Sequence, residues 1–149
     1  MTIWHYKRFD ELKLDELYNI LRLRQNVFVI EQDCIYPDID EVDKHAFHLF
    51  AEHQKSGELC AYLRVLAPGL KFAEASIGRV LIHEAYRGTG LGRELMLKSL
   101  SEIERAYPNT AIKISAQVYL EHFYQELGFI TTSKPYDEDG IMHIDMVRA

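Results

Sequence analysis

Ile77-Gly78-Arg79-Val80-Leu81-Ile82, followed four residues later by Arg87-Gly88-Thr89-Gly90-Leu91-Gly92, decides how this chain folds. The first segment is an apolar run of strand length. From Leu91 onward apolar residues recur at helical spacing, through Leu95, Met96, Leu100, Ile103 and Tyr107. A strand therefore feeds a helix through glycines. Backbone N–H groups at a helix N-terminus attract an anion, and the helix macrodipole adds roughly 0.3–1 kcal/mol at an exposed site. Glycines let that anion come close to the backbone, and phosphate is the anion to expect.

Two phosphate-binding loops of this general layout do not fit. A P-loop requires Lys-Ser/Thr after its last glycine, where this chain has Arg93-Glu94. A dinucleotide fingerprint requires a third glycine at position 93, which is arginine. What remains is Arg-x-x-Gly-x-Gly between a strand and a helix.

The 149 residues suit one domain, which buries roughly two-thirds of its unfolded surface. A formal charge of −6 with dispersed basic residues gives no footprint for nucleic acid. The segment Met1 to Arg8 has no apolar signal core, and no apolar run reaches the length of a membrane span, so the expected location is the cytoplasm. Cys34 and Cys60 stand in neither a Cys-x-x-Cys nor a metal-type spacing and read as reduced thiols, with no metal site implied.

Working outward from the loop, Thr2 to Phe9 reads as an opening strand. A helix is expected from Asp10, with Leu14, Leu17, Ile20, Leu21, Leu23, Val27 and Ile30 on its apolar face. Pro37 and the carboxylates of Asp38, Asp40, Glu41 and Asp43 mark an irregular acidic loop, Asp33 to Lys44, able to attract an amine. His45 to Gln54 and Glu58 to Leu66 alternate as a hairpin around Lys55-Ser56-Gly57. Ala75 to Ile82 is the strand entering the glycine loop. Ala111 to Ser115 is a strand, Tyr119 to Leu127 a short helix capped by Gly128, and Phe129 to Ser133 pairs with Met142 to Val147 around the loop Pro135 to Gly140. Arg64 and Arg79 sit mid-strand among apolar residues. Each needs a carboxylate partner such as Glu31 or Asp43, or a polar cleft in which it binds substrate.

This order of elements, with Arg87-Gly88-Thr89-Gly90-Leu91-Gly92 and then Phe123-Tyr124-Gln125-Glu126-Leu127-Gly128-Phe129, resembles the GNAT superfamily of N-acetyltransferases over the whole chain. Leu23 to Gln32, Ala61-Tyr62-Leu63-Arg64, Ile77-Gly78-Arg79-Val80 and Ala116-Gln117 look like its ElaA-type branch. The resemblance implies an α+β fold: a mixed, mostly antiparallel twisted sheet of six to seven strands with about four helices, splayed at the strand before the glycine loop. It implies acetyl-coenzyme A as co-substrate and an amine of a small molecule or peptide as acceptor. Dimers are common in the superfamily, and nothing in the sequence decides whether this chain forms a homodimer.

By the same resemblance, main-chain groups of Val80, Leu81 and Ile82 hold the pantetheine arm, and Arg87, Gly88, Thr89, Gly90, Leu91 and Gly92 hold the pyrophosphate. Gln117 stands where many members have Asn, seven residues before Tyr124. Tyr124 is the expected acid for the leaving thiolate. An attacking alkylamine with a pKa near 10.4 must lose a proton, which costs roughly 4–5 kcal/mol at pH 7. The family often uses a Glu on the fourth strand, where this chain has Ser76, so Glu31, Glu74 and His48 are the candidate bases. The missing strand carboxylate also leaves open a non-catalytic acyl-coenzyme A sensor on the same fold.

Overall fold

The computed structural model describes all 149 residues. Strand β1 (Thr2–Arg8) leads to helix α1 (Leu14–Arg24), which continues as a π-helical segment (Gln25–Glu31). Strands β2 (Phe47–His53), β3 (Leu59–Leu66) and β4 (Ser76–Ile82) follow, then helix α2 (Leu91–Ala106), strand β5 (Ile112–Gln117) and helix α3 (Glu121–Gln125). Strands β6 (Ile130–Thr131), β7 (Tyr136–Glu138) and β8 (Ile141–Arg148) close the chain.

The strands form two antiparallel sheets, β1-β2-β3-β4 and β5-β8-β6, with β7 added to the far end of β8. The sheets meet only where β4 begins. Ala75 bridges Ile112 in parallel, and the Lys113 N–H donates to the Ala75 carbonyl at 2.9 Å. Beyond that junction β4 and β5 share no ladder. The splay expected before the glycine loop is present, and its open end faces that loop.

A bulge in β4 sets the divergence. Tyr62 pairs with Leu81 and Arg64 with Gly78, so Arg79 and Val80 together oppose Leu63. The extra residue changes which face each side chain takes. Ile77 before it and Val80 and Ile82 after it all pack on the α2 side, whereas Leu81 turns to the α1 side. Arg79 carries the distortion with φ 53°, a conformation that costs a non-glycine residue about 1–2 kcal/mol.

Strand alternation explains the two-sided core. Leu49, Ala51, Ala61, Leu63 and Val65 face α2, while Phe50 and Tyr62 face Ile20, Leu23, Val27 and Phe28 of the first helix and its extension. Every residue of β3 is buried because helices cover both of its faces. At roughly 1.5–3 kcal/mol for each large apolar side chain removed from water, this strand anchors the fold.

Several boundaries differ from expectation. A short 3-10 turn occupies Phe9–Glu11, and α1 begins only at Leu14, where the Glu16 carboxylate accepts from the Lys13 N–H at 2.8 Å. Leu14 and Ile30, expected on the apolar face, are exposed because the helix starts later and its last turns widen. The expected helix Tyr119–Leu127 is a 3-10 turn, Val118–Leu120, followed by five α-helical residues. The expected loop Pro135 to Gly140 contains β7. Its tight turn is made by Asp139 and Gly140, both at positive φ, the geometry of a two-residue hairpin. The strand count is therefore eight.

Candidate active site

The open slot between β4 and β5 ends at the glycine loop. Gly88 and Gly90 hold φ of 77° and 84°, and an added Cβ at either would meet nothing within 4 Å. The loop is thus free-standing and exposed, with Gly90 as the N-cap of α2. Thr89 donates its hydroxyl to the Tyr86 carbonyl at 2.7 Å, which fixes the turn from within. Gly92 faces Ile82 and Phe123 at ordinary contact distance, so here the loop packs on its own strand and on α3.

Arg87 is committed to the protein. Its guanidinium donates twice to the Glu31 carboxylate, at 2.7 and 2.9 Å, and Nε donates to the Ile82 carbonyl at 3.0 Å. Glu31 is correspondingly held below the usual carboxylate range by that hydrogen-bonded partner. With both oxygens engaged and its affinity for a proton reduced, Glu31 is poorly suited to act as a base. It latches the π-helical segment to the glycine loop.

His48 is excluded from the same role by burial. It is 1 % exposed, Nδ1 bonds the Tyr62 hydroxyl at 2.7 Å, and Nε2 bonds the Asp43 carbonyl at 3.0 Å. Burial also pushes its pKa down. Both nitrogens are occupied far from solvent. Glu74 precedes Ala75 and so stands at the closed end of the slot, where the two sheets join.

Arg64 and Arg79 meet carboxylates. Arg64 donates to Asp40 at 2.7 and 3.0 Å and to Asp43 at 2.8 Å, while Arg79 donates to the Asp38 carbonyl at 3.0 Å and to Asp40 at 3.4 Å. Arg79 Nε also lies 2.8 Å from Asp38 Oδ1, close but poorly aligned for a hydrogen bond. Arg24, wholly buried on α1, completes the network by donating to Asp38 Oδ2 at 2.9 Å and to Asp43 Oδ1 at 2.7 Å. Burial alone would push Asp43 upward, but the hydrogen bonds and charges of Arg24 and Arg64 reverse this and hold it below its ordinary value. Asp40 is lowered for the same reason. The acidic stretch is therefore a clasp that ties the loop after the π-helical segment onto β3 and the β4 bulge. Arg24 escaped the sequence reading because charge on a helix defaults to solvent; its place between Leu23 and Val27 was the available signal.

Tyr124 packs edge-on against Phe123 and Phe129 and is 5 % exposed. Its hydroxyl bonds no protein group, yet it is not sealed from solvent. Burial raises its pKa above the ordinary phenol value, so it is protonated at neutral pH and is a weaker acid than a free phenol.

One face of β5 is polar because Ile112, Ile114 and Ala116 take the core face, leaving Lys113, Ser115 and Gln117 opposite. Gln117 exchanges amide hydrogen bonds with Gln32, each 3.3 Å. Ser115 lies three residues beyond Ile112, on the strand that diverges from β4. It contacts the Tyr136 hydroxyl, which donates to Asp145 Oδ1 at 2.7 Å. An ionised carboxylate only accepts, so Tyr136 donates to Asp145 and Ser115 donates to Tyr136, leaving the lone pairs of Ser115 as acceptors. Ser115 carried no signal in the sequence, and Gln32 only as the last residue of the Leu23 to Gln32 stretch, since each gains its meaning from a partner distant in the chain.

Elsewhere, His5, Glu16 and Glu52 bring ligand atoms within 4.8 Å of one another, but Lys7 Nζ already sits 2.9 and 3.0 Å from the two Glu16 oxygens. Glu16 is thus already paired with an ammonium. Cys34 and Cys60 are buried free thiols, and no helix is long and apolar enough to cross a membrane.

A V-shaped slot between β4 and β5, closed at one end and ending in a glycine cradle at the other, is the arrangement of an acyltransferase of the GNAT class, and the GNAT acetyltransferase domain profile matches residues 19–149. The chain belongs to that family, within its ElaA and UPF0039 group. It is 42 % identical to a UPF0039 protein of Synechocystis over 97 % of this chain and 93 % of that one. It is 40 % identical to Escherichia coli ElaA over 99 % and 97 % of the two chains, and the crystal structure of ElaA superposes with a TM-score of 0.92. An acyl-CoA N-acyltransferase from Pseudomonas aeruginosa has TM-score 0.94 and 41 % identity over the full length of both chains.

Proposed function

We propose that the protein is a cytoplasmic N-acetyltransferase that moves an acetyl group from acetyl-coenzyme A to an amine of a small molecule or peptide by direct attack. The observation that carries this reading is the unpaired edge of β4, running from the bulge to a glycine loop that leaves room for an anion. An unpaired strand edge recruits an extended partner bearing amides. The donor pantetheine arm has that chemistry, and Val80, Leu81 and Ile82 would hold it by main-chain groups. The free N–H groups from Gly88 to Gly92 would receive the pyrophosphate, with Arg87 fastened to Glu31 as their support.

When bound, acetyl-coenzyme A supplies the acyl group as a thioester. Tyr124, protonated and without a protein partner, donates to the departing sulfur and regains a proton from solvent. Ser115, with its lone pairs free, accepts an N–H of the incoming amine and passes a proton through Tyr136 toward Asp145. Tyr136 is itself pushed up to about 12, by burial first and, against the bond from Ser115, by the Asp145 carboxylate. This chain replaces Glu31, Glu74 and His48 as the route for the amine proton.

Calorimetry with coenzyme A, followed by turnover of acetyl-coenzyme A with a panel of polyamines, arylalkylamines and lysine peptides, tests the reading. Binding with turnover on one amine class is expected, and Tyr124→Phe should lower kcat about a hundredfold or more while leaving coenzyme A affinity intact. Tight binding without turnover on any amine would indicate an acyl-coenzyme A sensor. Full activity in Tyr124→Phe at every pH would remove it as the acid.

A further inference from the structure

We infer that Gln32 is a positioning residue for the acyl carrier, forming with Gln117 a two-sided clasp for its amide-bearing arm; this rests on the coenzyme A reading above. The two side-chain amides face each other between the end of the π-helical segment and the end of β5, each donating to the other at 3.3 Å. Such bonds are long against the usual 2.9–3.0 Å and part readily. An amide side chain has two N–H donors and an oxygen with two lone pairs. The reciprocal pair uses one donor and one lone pair of each, so one of each remains on both side chains. That spare set matches an arm carrying amides of its own.

The location of Gln32 is fixed from both sides. Its neighbour Glu31 is clamped to Arg87 of the glycine loop, and Arg87 in turn grips the Ile82 carbonyl at the end of β4. Two residues further on, the Cys34 thiol donates to the Asp139 carbonyl at 3.1 Å, tying the same segment to the β7–β8 turn. Residues 31 to 34 therefore make a strap from the glycine loop to the second sheet. An arm leaving the glycine loop along β4 passes beneath Gln32 with Gln117 on its other side. The strap lets the site distinguish an amide-bearing carrier from a bare nucleotide.

Calorimetry of coenzyme A and of 3′-phosphoadenosine 5′-diphosphate, which keeps the phosphates but lacks the arm, tests this on the wild type and on Gln32→Met. Methionine has similar length and no amide. The expected result is a loss of about three- to tenfold in coenzyme A affinity with no change for the arm-less nucleotide. Equal losses for the two ligands would mean a purely structural role and overturn the inference, as would unchanged coenzyme A affinity. Gln32→Glu, which keeps length and acceptor oxygens but loses the donors, should fall between wild type and Met, and it supplies the answer if Gln32→Met does not fold. Failure of the wild type to bind coenzyme A at all would instead defeat the coenzyme A reading, and the clasp with it.

Discussion

Gly90→Ala separates what the glycine loop does for stability from what it does for ligand binding. Gly90 has φ 84° and nothing within 4 Å of an added Cβ, so the methyl group meets no steric obstacle in the free protein. The cost is backbone strain alone, about 1–2 kcal/mol for an L-residue held in the left-handed region. For a chain of this size that lowers Tm by roughly 2–8 °C. Gly57, in the β2–β3 turn, is the matched control, with φ 73° and equally open space. Gly57→Ala should lose a similar amount of stability.

Binding should part the two variants. A methyl at Gly90 stands where the backbone must approach the anion, and losing one N–H bond to a charged phosphate weakens binding roughly ten- to a hundredfold. Gly57→Ala should bind as wild type. Scanning calorimetry and coenzyme A titration on both proteins decide the matter. Wild-type affinity in Gly90→Ala, or an equal loss in Gly57→Ala, would refute the assignment of the loop as the anion cradle.

Asp43→Asn keeps one oxygen for Arg24 and Arg64 but removes the charge between two buried guanidiniums, so it should destabilise by about 3 kcal/mol, or roughly 6–12 °C in Tm, as read by thermal unfolding. The same network sets acid lability. Asp40 and Asp43 have folded pKa values below their unfolded ones near 3.9, so their stabilisation is whole above about pH 5 and fades as pH falls through the folded values. Denaturant melts between pH 3 and 6 should show a shallower acid slope in Asp43→Asn, and an unchanged slope would disprove the linkage. Tyr136→Phe breaks the proton route from Ser115, so its deficit in kcat/KM should shrink as pH rises toward the pKa of the amine. A deficit uniform across pH would assign Tyr136 to holding β7 in place.

The chain itself carried most of the fold and the strand–glycine loop–helix element. The alternations of Phe47 to Glu52 and Ala61 to Leu66, the helical spacing from Leu91, and the glycines after Ile82 are local patterns. Their physical causes, period and backbone freedom, act within a few residues. The catalytic end was not local. Glu31 and His48 were candidate bases until Arg87, Tyr62 and the Asp43 carbonyl occupied them, and Arg64 and Arg79 stood open between a carboxylate partner and substrate until Asp38, Asp40 and Asp43 closed on them. The β4 bulge shifted Ile77 and Ile82 onto one face against simple alternation. Gln32 and Gln117 are 85 residues apart, and Ser115 and Tyr136 are 21 apart. Sequence by itself determined where the glycine loop opens a helix, because helix ends and glycines announce themselves. Only the tertiary structure decided which polar groups remain free to act, because a side chain's chemistry depends on whether a distant partner has already satisfied it.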